Sequence, residues 1–190
     1  ASLAVKIPAA TVSLTGDLIV PPHATAIVLF AHGSGSSRLS PRNTYVASVL
    51  QQAGIATLLF DLLTREEDRD YATRFDIGLL TTRLLAATNW IRQQPQISGF
   101  SIGYFGASTG AAAALQAAAV AGNDIAAVVS RGGRPDMAGE AALRQVRAPT
   151  LLIVGGYDDE VIELNEQAYA LLACEKELAI VPGATHLFEE

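Results

Sequence analysis

The chain has 190 residues, of which half are hydrophobic and only 17% are charged, so we expect a folded chain with one domain over residues 1–190. Its 13 basic and 19 acidic residues give a formal net charge of −6. That balance argues against binding to nucleic acid or to an anionic membrane surface, since both need a basic patch.

Cysteine usage and hydropathy fit a protein of a reducing compartment. Cys174 is the single cysteine, so no internal disulfide can form, and its place in an apolar helical stretch favours a packed thiol over a reactive one. No run of about 18 or more apolar residues occurs, and residues 1–10 lack the apolar centre of a signal peptide. We therefore expect a cytoplasmic protein.

Taken in chain order, the apolar pattern predicts an α/β protein. Val5–Val20 holds two short apolar stretches around Thr15–Asp17, which predicts an antiparallel hairpin at the sheet edge. Short apolar runs bounded by chain-breaking residues predict buried strands over Ala26–Ala31, Ile55–Leu59, Ile102–Phe105, Ile125–Val129, Leu151–Val154 and Leu178–Val181. Between them, helical spacing predicts helices over Thr44–Ala53, Ile77–Ile91, Thr109–Ala121, Ala138–Val146 and Ile162–Ala173. This alternation is typical of a mostly parallel sheet with helices on both faces.

Three predicted strand ends carry residues with notable chemistry. They are His32-Gly33, Gly106–Gly110 and Gly155–Asp158. In parallel sheets ligands bind outside the carboxyl ends of the strands, so these three segments are expected to meet at one site.

The segment Gly106–Gly110 reads Gly-Ala-Ser-Thr-Gly, between a predicted strand and a predicted helix. This context is typical of a nucleophile elbow, a sharp turn that exposes a serine at a helix N-terminus. The two glycines are needed because a side chain at either position would clash with a neighbouring strand or helix. We identify Ser108 as a candidate nucleophile, with a chance match to the pattern as the alternative.

A serine hydroxyl needs an adjacent base, and a histidine is the usual one. Of the three histidines only His186 follows Ser108, in a loop just past the last predicted strand, where a base should lie if the order is serine, acid, histidine. The acid is expected after Leu151–Val154, where Asp158 and Asp159 are adjacent. We favour Asp158 over Asp159 because of its spacing from the strand-ending glycine.

The loop after the first parallel strand reads His-Gly-Ser-Gly-Ser-Ser-Arg from His32. Small residues there let backbone N–H groups approach a substrate carbonyl, so Gly33 and Gly35 are candidate substrate-binding residues. The N–H groups of Ser34 and Thr109 are the candidate oxyanion-hole donors, with Gly35 as an alternative to Ser34. A phosphate cradle is the competing interpretation, but the P-loop pattern is absent. His32 itself is expected to support the loop rather than to act as a second base.

These segments, taken in order with Asp158 and His186, resemble the α/β-hydrolase superfamily, and in particular its dienelactone hydrolase-like branch of small, nearly capless enzymes. The resemblance covers about Val12 to Glu190. It implies an α/β-hydrolase fold with a Ser-His-Asp triad. Dienelactone hydrolases proper use cysteine as nucleophile where this chain has Ser108. The small relatives also end in a helix after the histidine, so the final helix is expected to be missing here and to leave apolar residues near the last strand uncovered.

Two charged segments have open interpretations. Thr64–Tyr71 is either a solvated surface loop or a border of the active site. Arg131 and Arg134 flank a Gly-Gly pair after a predicted strand. They bind either an anionic substrate group or nearby carboxylates and helix ends.

Together these residues predict a serine hydrolase that cleaves small carboxylic esters or lactones through an acyl-enzyme intermediate. No metal or organic cofactor is expected. The partner is a small-molecule ester, and an uncovered apolar face would favour a homodimer. The alternatives are a non-catalytic binding module on the same fold and an acyltransferase that uses the same triad.

Overall fold

The sheet of this protein, described in a computed structural model over residues 2–188, has eight strands in the order β1-β2-β4-β3-β5-β6-β7-β8. The strands are β1 Ser2–Ala9, β2 Val12–Ile19, β3 Ala26–Ala31, β4 Ala56–Phe60, β5 Ser101–Ala107, β6 Ile125–Arg131, β7 Thr150–Gly155 and β8 Lys176–Val181. From β3 to β8 neighbouring strands pair in parallel, while β1 and β2 are antiparallel. The predicted α/β-hydrolase fold class is therefore confirmed.

Helices connect the parallel strands. They are α1 Pro41–Gln52, α2 Arg65–Asp68, α3 Ile77–Gln93, α4 Thr109–Ala121, α5 Glu140–Gln145 and α6 Asp159–Leu171. Helix α4 has the predicted bounds, whereas α1 begins at Pro41 instead of Thr44. The earlier start has a local cause, because the Ser40 side chain caps the helix and proline is well tolerated in the first turn.

The N-terminal hairpin is present at the sheet edge, but its turn is not where the sequence pattern placed it. The register pairs Ala9 with Val12, so the turn lies at Ala10 and residue 11, and Ala10 has a positive φ of 52°. Gly16, from the predicted turn, instead lies within β2 against β4. A Cβ there would be 3.1 Å from the Phe60 Cβ, so glycine permits the two strands to approach.

The strand order places β3 directly beside β5, although β4 separates them in sequence. The chain continues from β3 into α1 and from β5 into α4, so the two strand-to-helix loops leave the same edge of the sheet side by side. This is a topological switch point, where open α/β sheets form their ligand crevices.

Alternate side chains of the central strands bury into different clusters. On β3, Ile27 and Leu29 belong to the larger cluster with α3 and α4, while Phe30 packs with Ala47 of α1 in the smaller one. Since successive strand residues point to opposite faces, helices cover both sides of the sheet. Helix α4 is alanine-rich and buried along most of its length, which fixes it close behind β5.

Strand β8 forms the far edge of the sheet, and Ile180 and Val181 on it are exposed. Association through these residues, including the predicted homodimer, stays a prediction. Within residues 2–188 no helix has the length and apolar character needed to cross a membrane.

Candidate active site

Ser108 occupies the turn between β5 and α4, at the switch point of the sheet. β5 ends at Ala107 and α4 begins at Thr109, so a single residue reverses the chain. Its backbone angles, φ 51° and ψ −122°, lie in a region that side-chain-bearing residues rarely adopt. Such strain concentrates at functional sites, and here it places the hydroxyl at the start of a helix, where the dipole favours negative charge.

Two glycines allow this turn to be so tight. A Cβ on Gly106 would lie 2.5 Å from the Cα of Ala111, and one on Gly110 would lie 2.1 Å from the carbonyl oxygen of Ala31. Both distances are far inside van der Waals contact with backbone atoms. The pattern around Ser108 is therefore a steric requirement of packing α4 against β3 and β5.

His186 and Asp158 complete a hydrogen-bonded chain with the serine. The Ser108 hydroxyl lies 2.9 Å from Nε2 of His186, whose Nδ1 lies 2.8 Å from Oδ2 of Asp158. A carboxylate only accepts, so Nδ1 carries the proton and Nε2 accepts from the hydroxyl. The neighbouring Asp159 is exposed and begins α6. Of the two candidate acids, the structure places Asp158 against the histidine.

The loop that carries His186 packs directly on the end of β7. The Tyr157 N–H donates to the Ala184 carbonyl at 3.0 Å. A Cβ on Gly155 would lie 2.5 Å from that same carbonyl oxygen, so the loop passes where only a glycine leaves space. These contacts bring the histidine loop onto the segment that carries the acid.

The loop after β3 lies against the nucleophile. A Cβ on Gly33 would be 3.1 Å from the Ser108 Cβ, so the backbone itself borders the serine. His32 is buried, and its Nε2 accepts the Leu62 N–H at 3.0 Å. Its Nδ1 must therefore carry the proton and donate it to the Gly33 carbonyl at 2.8 Å. Both nitrogens of His32 hold the loop, and burial lowers its pKa.

The candidate oxyanion donors border the same place. Ser34 lines the cavity at Ser108, and Thr109 is the first residue of α4. Within residues 2–188, neither backbone N–H donates to a protein acceptor. Gly35 has a φ of +75° and lies beside Arg74 in a separate small cavity, outside the lining of the cavity at Ser108.

Hydrogen bonds and ion pairs hold the charged stretch Thr64–Tyr71 that follows β4. Thr64 and Glu67 form a capping box at the start of α2. Glu67 also accepts two hydrogen bonds from Arg83, at 2.7 and 2.8 Å, and these lower the Glu67 pKa to about 2. Arg74 pairs with Asp68 at 3.2 Å. Residues of this stretch line cavities beside the loop that follows β3. None of them lines the cavity at Ser108.

The cavity at Ser108 has a volume of about 110 Å³. Its lining includes residues that sequence reasoning missed, namely Arg42, Asn43 and Leu187, together with the anticipated Arg131. Arg42 and Asn43 could have been anticipated from the sequence, because the first turn of a helix that follows β3 lies at the carboxyl edge of the sheet. Among the described residues, no group of three or more histidine, cysteine, aspartate or glutamate side chains could hold a metal ion.

Comparison with known proteins decides the family. The model of the dienelactone hydrolase family matches residues 15–190. This chain belongs to the dienelactone hydrolase family. The resemblance drawn from the sequence is confirmed, and family membership together with the shared fold supports a hydrolase.

Solved structures agree with this assignment. A dienelactone hydrolase from Anabaena variabilis is 59% identical, superposes with a TM-score of 0.96, and is matched over 100% of this chain and 89% of that one. An α/β serine hydrolase without a lid from Xanthomonas campestris has a TM-score of 0.76 at 21% identity, over 98% of this chain and 86% of the other. At that identity the second comparison shows the fold alone.

Two proteins from strains of Mycobacterium tuberculosis are 58% identical over 186 residues and carry the provisional name phosphoribosyl transferase. The match covers 98% of this chain but 42% of each relative. The chain thus spans less than half the length of these relatives, and their name describes a much longer protein.

Proposed function

We propose that this family member is a serine esterase that hydrolyses small carboxylic esters or lactones through an acyl-enzyme intermediate. The observation that carries the proposal is the chain of hydrogen bonds from Ser108 through His186 to Asp158, at 2.9 and 2.8 Å. It supplies a nucleophile, a base of the correct tautomer and an acid that orients the base.

The reaction follows from these positions. Ser108 Oγ attacks the ester carbonyl while its proton passes to Nε2 of His186, and Asp158 stabilises the imidazolium. The N–H groups of Ser34 and Thr109 stabilise the oxyanion. His186 then donates the proton to the leaving alcohol as the carbon–oxygen bond breaks. Water, deprotonated by the same nitrogen, attacks the acyl-serine, releases the acid and restores the hydroxyl.

The size of the cavity at Ser108 favours small substrates. Its volume of about 110 Å³ is well below the roughly 300–1,000 Å³ of pockets that enclose drug-sized ligands. Short acyl groups and small lactones fit this space better than long lipid chains. The transferase name belongs to longer proteins, of which this chain matches 42%.

The test compares wild-type protein with Ser108→Ala and with Ser98→Ala as a matched control. Ser98 lies before the amino end of β5, at the opposite edge of the sheet, where its hydroxyl donates to the Pro95 carbonyl at 3.5 Å. A fluorophosphonate probe should label wild type and the control but not Ser108→Ala. Turnover of 4-nitrophenyl esters should fall by about 10³-fold or more in Ser108→Ala alone.

Retention of more than about a tenth of wild-type turnover in Ser108→Ala would rule out this nucleophile. Failure of the probe to label any of the three proteins would favour a binding module without catalysis. Adding an alcohol during turnover separates hydrolysis from acyl transfer, since a transferase yields the new ester in place of the free acid.

A further inference from the structure

Arg83 is a buried charged residue that lies outside the candidate triad. It belongs to the first half of α3, and 8% of its surface is exposed. The guanidinium donates to both carboxylate oxygens of Glu67, at 2.8 and 2.7 Å, and to the Leu62 carbonyl at 3.2 Å. Arg83 and Glu67 therefore hold the segment that leads out of β4.

Stability alone gives little reason for this buried ion pair. Removing two charged groups from water can cost as much free energy as their attraction returns, so such pairs often stabilise a fold no more than apolar side chains do. Their geometry is strict, however, because a planar guanidinium binds a carboxylate through two parallel hydrogen bonds. The pair between Arg83 and Glu67 is thus suited to fixing the backbone that both residues contact.

The Leu62 backbone connects Arg83 to the loop that follows β3. While its carbonyl accepts from Arg83, its N–H donates to Nε2 of His32 at 3.0 Å. Nδ1 of the same ring donates to the Gly33 carbonyl at 2.8 Å, and Gly33 borders Ser108. A continuous set of contacts therefore runs from Arg83 to the loop beside the nucleophile.

Glu67 holds the same segment from its other end. Its carboxylate accepts the Thr64 N–H at 2.9 Å, and the Thr64 hydroxyl accepts the Glu67 N–H at 3.2 Å. The hydrogen bonds from Arg83 are the main cause of its lowered pKa of about 2, so Glu67 stays ionised at neutral pH. One ion pair thus fixes the backbone from Leu62 to Glu67 at both ends.

The loop held in this way carries the Ser34 N–H, the candidate oxyanion-hole donor. Ser34 follows Gly33 directly and lines the cavity at Ser108. A donor stabilises the oxyanion only within hydrogen-bond distance, about 2.7–3.1 Å, and loss of one donor costs about 10²–10³-fold in kcat. Because the oxyanion forms in the transition state, displacement of this donor lowers the rate of the chemical step more than it weakens substrate binding.

We propose that Arg83 is a positioning residue for the oxyanion hole. Through the Leu62 backbone and the His32 ring, it fixes the loop that carries the Ser34 N–H. This inference rests on the proposed esterase function. Arg83 does not line the cavity at Ser108, so it acts through the loop and takes no part in bond making or breaking.

The kinetic test replaces Arg83 by methionine, which keeps a long unbranched side chain and removes every N–H donor. We expect the maximal rate at which 4-nitrophenyl acetate acylates the protein, followed by stopped flow, to fall about tenfold or more in Arg83→Met. The ester concentration at half the maximal rate should stay within about threefold of wild type. Weaker substrate binding without slower acylation would contradict the positioning role.

Arg92→Met is the matched control on the same helix. The Arg92 guanidinium donates to the carbonyls of Ser98 and Phe100, and it also pairs with the carboxylate of Asp124. These groups lie at the amino-terminal edge of the sheet, away from the candidate site. The control should keep the acylation rate within about twofold of wild type, even where its urea midpoint falls as far as that of Arg83→Met. An equal loss of rate in both variants would show that lowered stability alone is responsible and would overturn the proposal.

Glu67 provides a conservative variant. Glu67→Gln keeps one side-chain oxygen that can accept from Thr64 and Arg83, whereas Glu67→Met removes both oxygens. We expect acylation in Glu67→Met to be as slow as in Arg83→Met, to within about threefold, and acylation in Glu67→Gln to be intermediate. These two variants carry the test if Arg83→Met does not fold. Acylation at the wild-type rate in Glu67→Met would refute the role of the pair.

A double-mutant cycle tests the route through His32. The losses of two substitutions that act through the same loop do not add, whereas those of independent substitutions do. The variant that combines Arg83→Met with His32→Phe should therefore acylate within about threefold of the slower single variant. A rate lowered by the product of the two separate losses would show that Arg83 acts independently of His32, against the proposal.

Hydrogen exchange follows the loop without turnover. The Ser36 N–H donates to the Gly33 carbonyl at 3.1 Å, so its exchange rate reports opening of the loop. We expect this exchange to be about tenfold or more faster in Arg83→Met and within about twofold of wild type in Arg92→Met. Unchanged exchange in Arg83→Met would overturn the positioning role. Faster exchange, together with no acylation of the wild-type protein, would contradict the esterase proposal and leave the link between Arg83 and the loop in place.

Discussion

His32 offers the sharpest test of how the loop beside Ser108 is held. The buried ring accepts the Leu62 N–H and donates to the Gly33 carbonyl. His32→Phe keeps a ring of similar size and removes both hydrogen bonds. The Leu62 N–H is then left without a partner, whereas the Gly33 carbonyl keeps its second donor, the Ser36 N–H at 3.1 Å.

The cost follows from this asymmetry. A buried N–H without an acceptor costs about 1–3 kcal/mol, and loss of the other bond about 1 kcal/mol. We expect the free energy of unfolding to fall by about 2–4 kcal/mol at pH 8. Because Gly33 borders the serine, turnover should fall as well.

The pH dependence gives a second signature. Burial puts the folded-state pKa of His32 below its ordinary value of 6.5. As pH falls through that value, the unfolded chain takes up a proton that the folded chain refuses. Wild type therefore loses stability below pH 6.5, by up to about 1.4 kcal/mol per pH unit, and His32→Phe lacks this loss. The difference between the two proteins should shrink from about pH 8 to about pH 5.5.

Urea unfolding followed by the fluorescence of Trp90, the single tryptophan, measures both effects. His23 is exposed and has a positive φ, which asparagine tolerates, so His23→Asn is the control that removes a histidine without touching the loop. A cost of His32→Phe below about 1 kcal/mol at pH 8, or the same difference from wild type at both pH values, would refute this role of His32.

Two further substitutions test the site and the turn. Asp158→Asn should lower kcat by about 10³–10⁴-fold, because it favours the wrong tautomer of the His186 imidazole. Asp159→Asn should keep kcat within about threefold of wild type. Equal losses of the two variants in parallel steady-state kinetics would contradict Asp158 as the acid. Gly110→Ala places a Cβ 2.1 Å from the Ala31 carbonyl oxygen and should lower the free energy of unfolding in urea by at least about 2 kcal/mol. Gly99→Ala is its control, because a Cβ on Gly99 would have no described atom within 4 Å apart from its chain neighbours. A similarly small loss of unfolding free energy in both variants would show that the turn at Gly110 can relax.

The features that local sequence determines could be predicted. Short apolar runs between chain breakers gave the parallel strands within two residues of their ends. Helix α4 begins and ends where the pattern around Ser108 and the alanine run predict. The order of candidate serine, acid and histidine along the chain was also enough to place Ser108, Asp158 and His186 together, because parallel strands deliver their carboxyl ends to one edge.

The features that depend on distant contacts could not be predicted. Gly16 reads as a turn residue, and only the approach of Phe60 from β4 shows that it belongs inside a strand. Arg131 and Arg134 are equivalent in the sequence. Asp136 lies two residues from Arg134 and pairs with it, whereas the surroundings of Arg131 come from α1 and β5, far away along the chain.

The candidate triad contains two hydrogen bonds, Ser108–His186 and His186–Asp158, and their surroundings indicate which one a structural perturbation would lengthen first. The segments carrying Asp158 and His186 are joined through backbone hydrogen bonds, including one from the Gly156 N–H to the Val181 carbonyl at 2.7 Å. We therefore expect the acid and the base to move together when either loop shifts. Ser108 belongs to a different unit, β5 and α4, with β6 between it and β7. A perturbation of the sheet edge would thus lengthen the serine–histidine distance first, while the aspartate continues to hold the imidazole in the tautomer that the serine requires.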